Sequence, residues 1–311
     1  MYRRFSLAYS ATFPERLKLK LAAIDIGSNA LRLLIVRILP EHKTGDFKKV
    51  EFVRIPLRLG DDVFTSGKVG VEKKNLFLMA MQAFKLIMDI HGVEHYMACA
   101  TSAMREASNG KAIVEACKKK FDLKIQIISG EEESRLILQS VMESIKRKGN
   151  FINIDVGGGS TEITLIHDGK PRESKSFPIG TVRLMDGKVK QESWNEMEKW
   201  VRKQAGALKK IKALGTGGNI SKLYRMRSVQ EEGAYLPIDE LEHLYERICS
   251  MPIKERIYQM RMNPDRADVI EHAAKIYLQI MHWANVEEII APKAGLKEGL
   301  ILELFSKLKS N

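Results

Sequence analysis

Two stretches of this chain repeat one order of residue types, and that repetition limits what it can fold into. Phe151–Ile166, FINIDVGGGSTEITLI, runs from an apolar strand through an acid at its end to three glycines, two hydroxyls and a second apolar strand. Leu21–Val36, LAAIDIGSNALRLLIV, has the same order: strand, Asp25, Gly27, the small polar Ser28 and Asn29, then strand. Setting Asp25 on Asp155 sets Gly27 on Gly157. One such loop alone is explained equally well as a Gly-rich hairpin turn. A chance turn does not predict a partner. Two equivalent hairpins imply an internal duplication, with two half-molecules facing each other across a cleft.

The loops have a chemistry of their own. Gly157, Gly158 and Gly159 are expected to take backbone angles that residues with a Cβ resist, so that the loop folds tightly around a bound group. Its amides, with Ser160 and Thr161, present several donors to one small anion. Asp155 beside such a loop repels a bare phosphate unless a cation intervenes. A hard, oxygen-liganded divalent ion resolves that conflict, Mg²⁺ first and Mn²⁺ as the alternative. The two acidic turns are then expected to converge on one metal–phosphate group.

At 311 residues the chain suggests about two domains, each able to bury a core. Its 44% hydrophobic and 29% charged residues are ordinary for a globular protein. No apolar run reaches the roughly 18 residues that span a bilayer, so no membrane partner is expected. The first 20 residues are basic and poor in acids but lack a secretory apolar core, and read as an extension. Cys99, Cys117 and Cys249 are widely separated and odd in number, which fits a reducing cytoplasm and no disulfide framework. A formal charge of +12 favours an anionic partner. No nucleic-acid-binding signature accompanies it, so a polyanionic small substrate or polymer is expected instead.

Along the chain, Lys48–Leu59 reads as a strand and its continuation LGDDVFTSGKVG as a loop. Glu72–Ile90 has helical spacing. Tyr96–Ala100 is a short strand followed by Thr101 and Ser102 at a strand-to-helix junction, with Arg105 one turn further in. Leu123–Ile128 reads as a strand. Ser129 caps the helix of GEEESRLILQSVMES, and Glu132 at the capping-box position has a structural explanation that Glu133 lacks. IKRKGN is a basic connector before the second set of strands. KALGTGGNISK reads as strand, Gly-rich turn and helix, without the spacing of a Walker loop or a dinucleotide fingerprint. Helices follow near 238–250, 265–285 and 297–308. Strands lead and helices follow in each half, which makes the class α/β.

Seven ordered segments between about residues 22 and 270 carry a resemblance: AIDIGSNALRLLIV, ACATSAMREASN, IISGEEESRLI, INIDVGGGSTEIT, SFPIGTVRL, ALGTGGNI and DRADVI. Together they are similar to the exopolyphosphatase and guanosine pentaphosphate phosphatase family, within the actin-like ATPase superfamily. The resemblance implies two actin-like, ribonuclease-H-like domains, 1–136 and 137–311, with the last helix packing back on the first. It implies Asp25 and Asp155 as carboxylates holding Mg²⁺ directly or through water, with Glu162 orienting metal or water. It implies Glu133 as general base, Arg105 on the substrate phosphate, and Gly27, Ser28, Asn29, Gly157, Gly158, Gly159, Ser160 and Thr161 cradling phosphate oxygens. Ala30, Ser134 and Asn219 depart from the family's usual residues and remove no charged group. The chain stops soon after GLKEGLILELF, and so resembles the short form without further C-terminal helical domains.

The expected reaction is hydrolysis of a terminal phosphoanhydride by in-line attack of water, driven by positioning and electrostatics. Inorganic polyphosphate is the first substrate and guanosine pentaphosphate the second. A non-catalytic sensor of the same ligands is the reading from another class, and a homodimer is compatible with all three. None of the seven histidines falls in these segments, so no serine–histidine chemistry is expected.

Overall fold

The computed structural model describes residues 19–39, 47–145, 149–208, 210–227 and 235–310. The basic stretch up to residue 18 and residues 146–148 of the connector lie outside the described residues. The first part holds β1 (Lys20–Ile26), β2 (Leu31–Ile38), β3 (Phe47–Ile55), α1 (Leu59–Ser66), α2 (Val71–Ile90), β4 (His95–Ala100), α3 (Ser102–Glu106), α4 (Gly110–Phe121), β5 (Gln126–Ile127) and α5 (Gly130–Ile145). The second begins with β6 (Asn150–Val156), β7 (Thr161–His167), β8 (Lys170–Phe177), α6 (Thr181–Met185), α7 (Gln191–Gly206), β9 (Ile211–Thr216) and α8 (Gly218–Arg225). It continues through β10 (Leu236–Pro237), α9 (Ile238–Ser250), α10 (Ile253–Tyr258), α11 (Pro264–Ala267), α12 (Ile270–Ala284), β11 (Glu288–Ile290) and α13 (Leu296–Ser310).

The strands form two sheets, ordered β3-β2-β1-β4-β5 and β10-β11-β9-β6-β7-β8. Both repeat one plan. An antiparallel hairpin (β1–β2, β6–β7) carries a third antiparallel strand outside it (β3, β8) and a parallel strand inside it (β4, β9). The duplicated hairpins of the sequence are therefore the centres of duplicated sheets.

The apolar pattern explains why the strands lie as they do. Along β1, Ala22, Ile24 and Ile26 enter a core under α2 and α4, while Leu21 and Ala23 enter one under α5 and α13. Strand side chains alternate between faces, so a strand apolar at nearly every position must be covered on both. β6 and β7 do the same: Ile152, Ile154, Ile163 and Leu165 join the second sheet's large core, and Phe151 and Ile166 the one shared with α5 and α13. That shared core ties the sheets together. α13 packs on β1 and β4, and α5 packs on α13, β7 and β8. Residue 136 lies within the unbroken α5.

Two local expectations change. LGDDVFTSGKVG is not a loop, because Leu59–Ser66 form α1. Its turn-like residues serve a helix start: Asp61 and Asp62 sit in the first turn, where they suit the helix dipole. Gly60 leaves room for Val182, whose Cγ1 would stand 3.2 Å from a Cβ there. The strand expected over Leu123–Ile128 shortens to Gln126–Ile127, paired with Cys99 and Ala100 at the sheet edge. Among the described residues, no helix is long and apolar enough to cross a membrane.

Candidate active site

Both acidic turns close with the same hydrogen bond. The Gly27 amide donates to the Ala30 carbonyl at 3.2 Å, and the Gly157 amide to the Ser160 carbonyl at 2.9 Å. None of Gly27, Gly157, Gly158 and Gly159 has a positive φ, which corrects the expectation of unusual backbone angles. Close approach explains these glycines instead. A Cβ on Gly158 would lie 3.0 Å from the Ser28 Cβ and 3.4 Å from the Asn29 nitrogen, so here the two turns touch. One on Gly159 would meet the Phe64 ring at 2.4 Å and the Ser102 hydroxyl at 2.7 Å. Ser28 and Ser102 share a hydrogen bond of 2.8 Å, and the Ala103 amide donates to the Ser28 hydroxyl at 3.2 Å. Arg183 holds the second turn from the side: its Nε donates to the Gly159 carbonyl at 2.9 Å, and its guanidinium pairs with Glu106.

The touching turns line a cleft of about 550 Å³ whose walls come from both sheets. Asp25, Gly27, Ser28 and Asn29 face it from one side, and Asp155, Gly157, Gly158 and Ser160 from the other; Glu133 lines it as well. The carboxylates interact. Burial, then proximity to Glu162, Asp155 and Asp25, raises the Glu133 carboxyl well above its ordinary range, while Arg105 pulls it down. Asp155 is raised by burial and by Asp25, against the Thr216 hydroxyl that donates to it at 2.5 Å. Glu162 is pushed up to about 7 by burial and Asp155, against hydrogen bonds from Ser160 and Ser176.

Buried acids stand close together here. Glu133 Oε2 is buried and accepts no hydrogen bond among the described residues, although Arg105 stands 3.7 Å away. Glu133 and Asp155, two buried cleft carboxylates each raised by burial and a neighbouring acid, fit a divalent cation, which would oppose those shifts. Among the described residues, no three carboxylate, thiolate or imidazole side chains form a ready-made metal cage. Mg²⁺ keeps several waters and takes one or two carboxylates together with substrate phosphates. Asp25 and Asp155 are the cleft carboxylates that could hold it.

Four of the residues named from sequence do not line the cleft. Thr161 is fully buried, and its hydroxyl donates to the Ile179 carbonyl at 2.6 Å, so it braces the turn from behind. Gly159 is a packing glycine. Glu162 lies behind Asp155, its partner across the β6–β7 hairpin, and accepts from the Ser176 hydroxyl at 2.7 Å. Arg105 donates to the Ile128 carbonyl at 2.8 Å and faces Glu133. The structure adds cations that sequence reasoning passed over. Arg32 donates to Asp25 at 2.8 Å, and Arg54, Arg225, Arg266, Lys49 and Lys293 line the walls. Burial, with Arg54, Arg32 and Arg225 close by, lowers the Arg266 guanidinium to about 10. Arg32 had a signal: setting Asp25 on Asp155 also sets Arg32 on Glu162, and both pair with their aspartate across the hairpin.

The Ppx/GppA phosphatase family profile matches residues 35–308. Exopolyphosphatase 1 of Mycobacterium leprae is 26% identical over 91% of this chain and 89% of its own length. The guanosine-5'-triphosphate,3'-diphosphate pyrophosphatase of Aliivibrio fischeri is 22% identical over 93% of this chain and 60% of its own. The matches to exopolyphosphatase 1 of Mycobacterium bovis and Mycobacterium tuberculosis cover 48% of those proteins, about half their length. Among solved structures, the Aquifex aeolicus Ppx/GppA family member superimposes with a TM-score of 0.74 and 28% identity, covering 94% of this chain and 99% of that one.

Proposed function

This chain belongs to the Ppx/GppA phosphatase family, and from that premise we propose that it hydrolyses the terminal phosphoanhydride bond of linear inorganic polyphosphate. One observation carries the reading: both acidic turns and a buried glutamate oxygen that accepts no hydrogen bond among the described residues meet in a single cleft. The exopolyphosphatase named among its relatives covers nearly the whole chain, which supports the same class of reaction.

The end phosphoryl group is held by the amides of Ser28, Asn29, Gly158 and Ser160, while those of Gly27 and Gly157 close the turns. Asp25 and Asp155 would hold Mg²⁺ (or Mn²⁺), which would supply charge neutralisation for the phosphoryl oxygens. Glu133 holds the attacking water and accepts its proton as the P–O bond forms in line with the one that breaks. The products are orthophosphate and a chain one unit shorter. A carboxyl group at its ordinary pKa is a weak base near neutrality, and its efficiency rises as the pKa approaches the working pH. Burial among acids supplies that shift here. Arg105, facing Glu133 at 3.7 Å, keeps it ionisable. The basic walls, Lys49, Arg54, Arg225, Arg266 and Lys293, hold the rest of the chain.

Guanosine pentaphosphate is the second substrate reading. Phe52 and Leu34 bring apolar surface into the cleft, against which a base can lie. Three cysteines without disulfide partners fit a cytoplasmic setting. The test is orthophosphate release from polyphosphate of several lengths and from guanosine pentaphosphate, with Mg²⁺ and with a chelator. Mg²⁺-dependent release, faster from polyphosphate, is expected. No Mg²⁺-dependent release from either substrate overturns the proposal, and preference for the nucleotide replaces it with the second reading.

A further inference from the structure

The two acids that the duplication makes equivalent are not held alike. In the first sheet Asp25 stands beside the buried Cys99 of β4, and Arg32 donates to it from across the hairpin at 2.8 Å. In the second sheet Asp155 stands beside Thr216 of β9, and the residue across its hairpin is another acid, Glu162. A neutral hydroxyl takes the place of the guanidinium. Thr216 Oγ1 donates to Asp155 Oδ1 at 2.5 Å, and among the described residues it is the one side chain that donates to this carboxylate.

Thr216 is itself firmly placed. It is fully buried at the end of β9, and its carbonyl accepts from the Tyr277 hydroxyl at 2.9 Å. Tyr277 is fully buried in turn, on α12. Just beyond, Gly217 turns the chain at a φ of 96°, and a Cβ there would stand 3.2 Å from Asp155 Oδ1. The strand end, the turn and α12 therefore fix the point from which the hydroxyl reaches the acid. Thr216 does not line the cleft, whereas Asp155 does.

A carboxylate has two like oxygens on a loosely restrained terminal torsion. A donor on one oxygen removes that freedom and leaves the other for the cleft. Outer donors of this kind orient the ligand they touch and account for about 10–100-fold in metal affinity. We propose that Thr216 is a positioning residue: through Asp155 Oδ1 it presents the other oxygen to the divalent cation, and so sets the protein's affinity for that ion. The proposal rests on the reading above in taking Asp155 as a residue that would hold the cation.

Mn²⁺ binding to the full chain without substrate, followed by the electron paramagnetic resonance of the free ion, tests this. Thr216→Val keeps the shape and removes the donor. It is expected to weaken Mn²⁺ binding about 10–100-fold, and to raise the Mg²⁺ needed for half-maximal phosphate release by a similar factor. At saturating Mg²⁺ its kcat should return to within a few-fold of wild type. Thr216→Ser keeps the hydroxyl and should bind Mn²⁺ as wild type does. In an Asp155→Asn background, Thr216→Val should cost no further affinity. Wild-type affinity in Thr216→Val, equal weakening in Thr216→Ser, or the full loss persisting beside Asp155→Asn overturns the proposal. So does a wild-type chain that binds no Mn²⁺. The hydrolase reading fails separately: a chain that binds Mn²⁺ and releases no phosphate sinks that reading, while the affinities still decide the role of Thr216.

Discussion

Gly158 and Ser28, 130 residues apart in sequence, meet so closely that a Cβ on the glycine would lie 3.0 Å from the serine Cβ. This point holds the two acidic turns at a fixed separation, and the placement of Asp25 relative to Asp155 follows from it. Gly158→Val therefore acts as a wedge. Overpacking at such a site costs about 1–3 kcal/mol, and a displacement of about 1 Å among positioning groups costs on the order of 100-fold in rate. Thermal melts should show the modest destabilisation and steady-state kinetics the larger loss in kcat. A Gly158→Val enzyme within a few-fold of wild type would show that the turns need not touch.

Glu133 is buried among three other acids, and its replacement separates function from stability. Glu133→Gln keeps the volume and removes the charge. Phosphate release should fall by about 10²–10⁴-fold, the range of a lost general base, while binding of polyphosphate persists. Stability at pH 8 should rise, because burial and the neighbouring acids disfavour the charged form of the wild-type carboxyl group. Chemical denaturation of the metal-free proteins at pH 8 checks this. A less stable variant would mean that Glu133 is held by partners the cleft does not show.

Much of the site was legible because its signals are local. A strand, an acid and a Gly-rich turn are written in consecutive residues, and their duplication announces a partner. Ser129 caps α5 as its spacing foretold, its hydroxyl accepting from the Glu132 amide at 3.1 Å. The Glu132 carboxylate, by contrast, turns outward to Arg135. What was missed depends on distant parts of the chain. α1 hides behind Gly60, Asp61 and Asp62, residues that favour a turn until Val182 packs against that glycine. The turn glycines suggested unusual angles, yet they are small because another loop, a ring or a hydroxyl lies against them. Arg54 and Arg266 look like any surface arginines until the fold brings their sheets together.

The acids of the cleft also set a pH dependence. Glu162 has a folded pKa of about 7, above its ordinary value, and Glu133 and Asp155 shift the same way. The folded state therefore binds more protons than the unfolded one between roughly pH 4.5 and 7, and stability falls as pH rises through that window. For Glu162 the loss is on the order of 3 kcal/mol at one pH unit per about 1.4 kcal/mol. Mg²⁺ should reduce it by stabilising the ionised acids. Urea midpoints from pH 5 to 8, with Mg²⁺ and with a chelator, measure both effects. Metal-free stability that rises with pH would reverse the assignment.

Arg54 on β3 and Asp265 on α11 form a largely buried ion pair joining elements of the two halves, with a second hydrogen bond of 3.2 Å between them. The Asn29 side-chain Nδ2 donates to the Asp265 carbonyl at 3.1 Å. Removing one partner of a buried pair leaves an uncompensated charge and costs about 3–5 kcal/mol, whereas removing both costs less. Here the stranded charge would be Arg54, already beside Arg266. Asp265→Ala should therefore destabilise more than Arg54→Met combined with Asp265→Ala. Inorganic phosphate should restore stability to the single variant more than to wild type, because an anion replaces the lost carboxylate and binds only the folded state. Melting curves of the two variants with and without phosphate give both comparisons. A double variant no more stable than Asp265→Ala, with equal phosphate effects, would remove Asp265 as the counterion of the arginine wall.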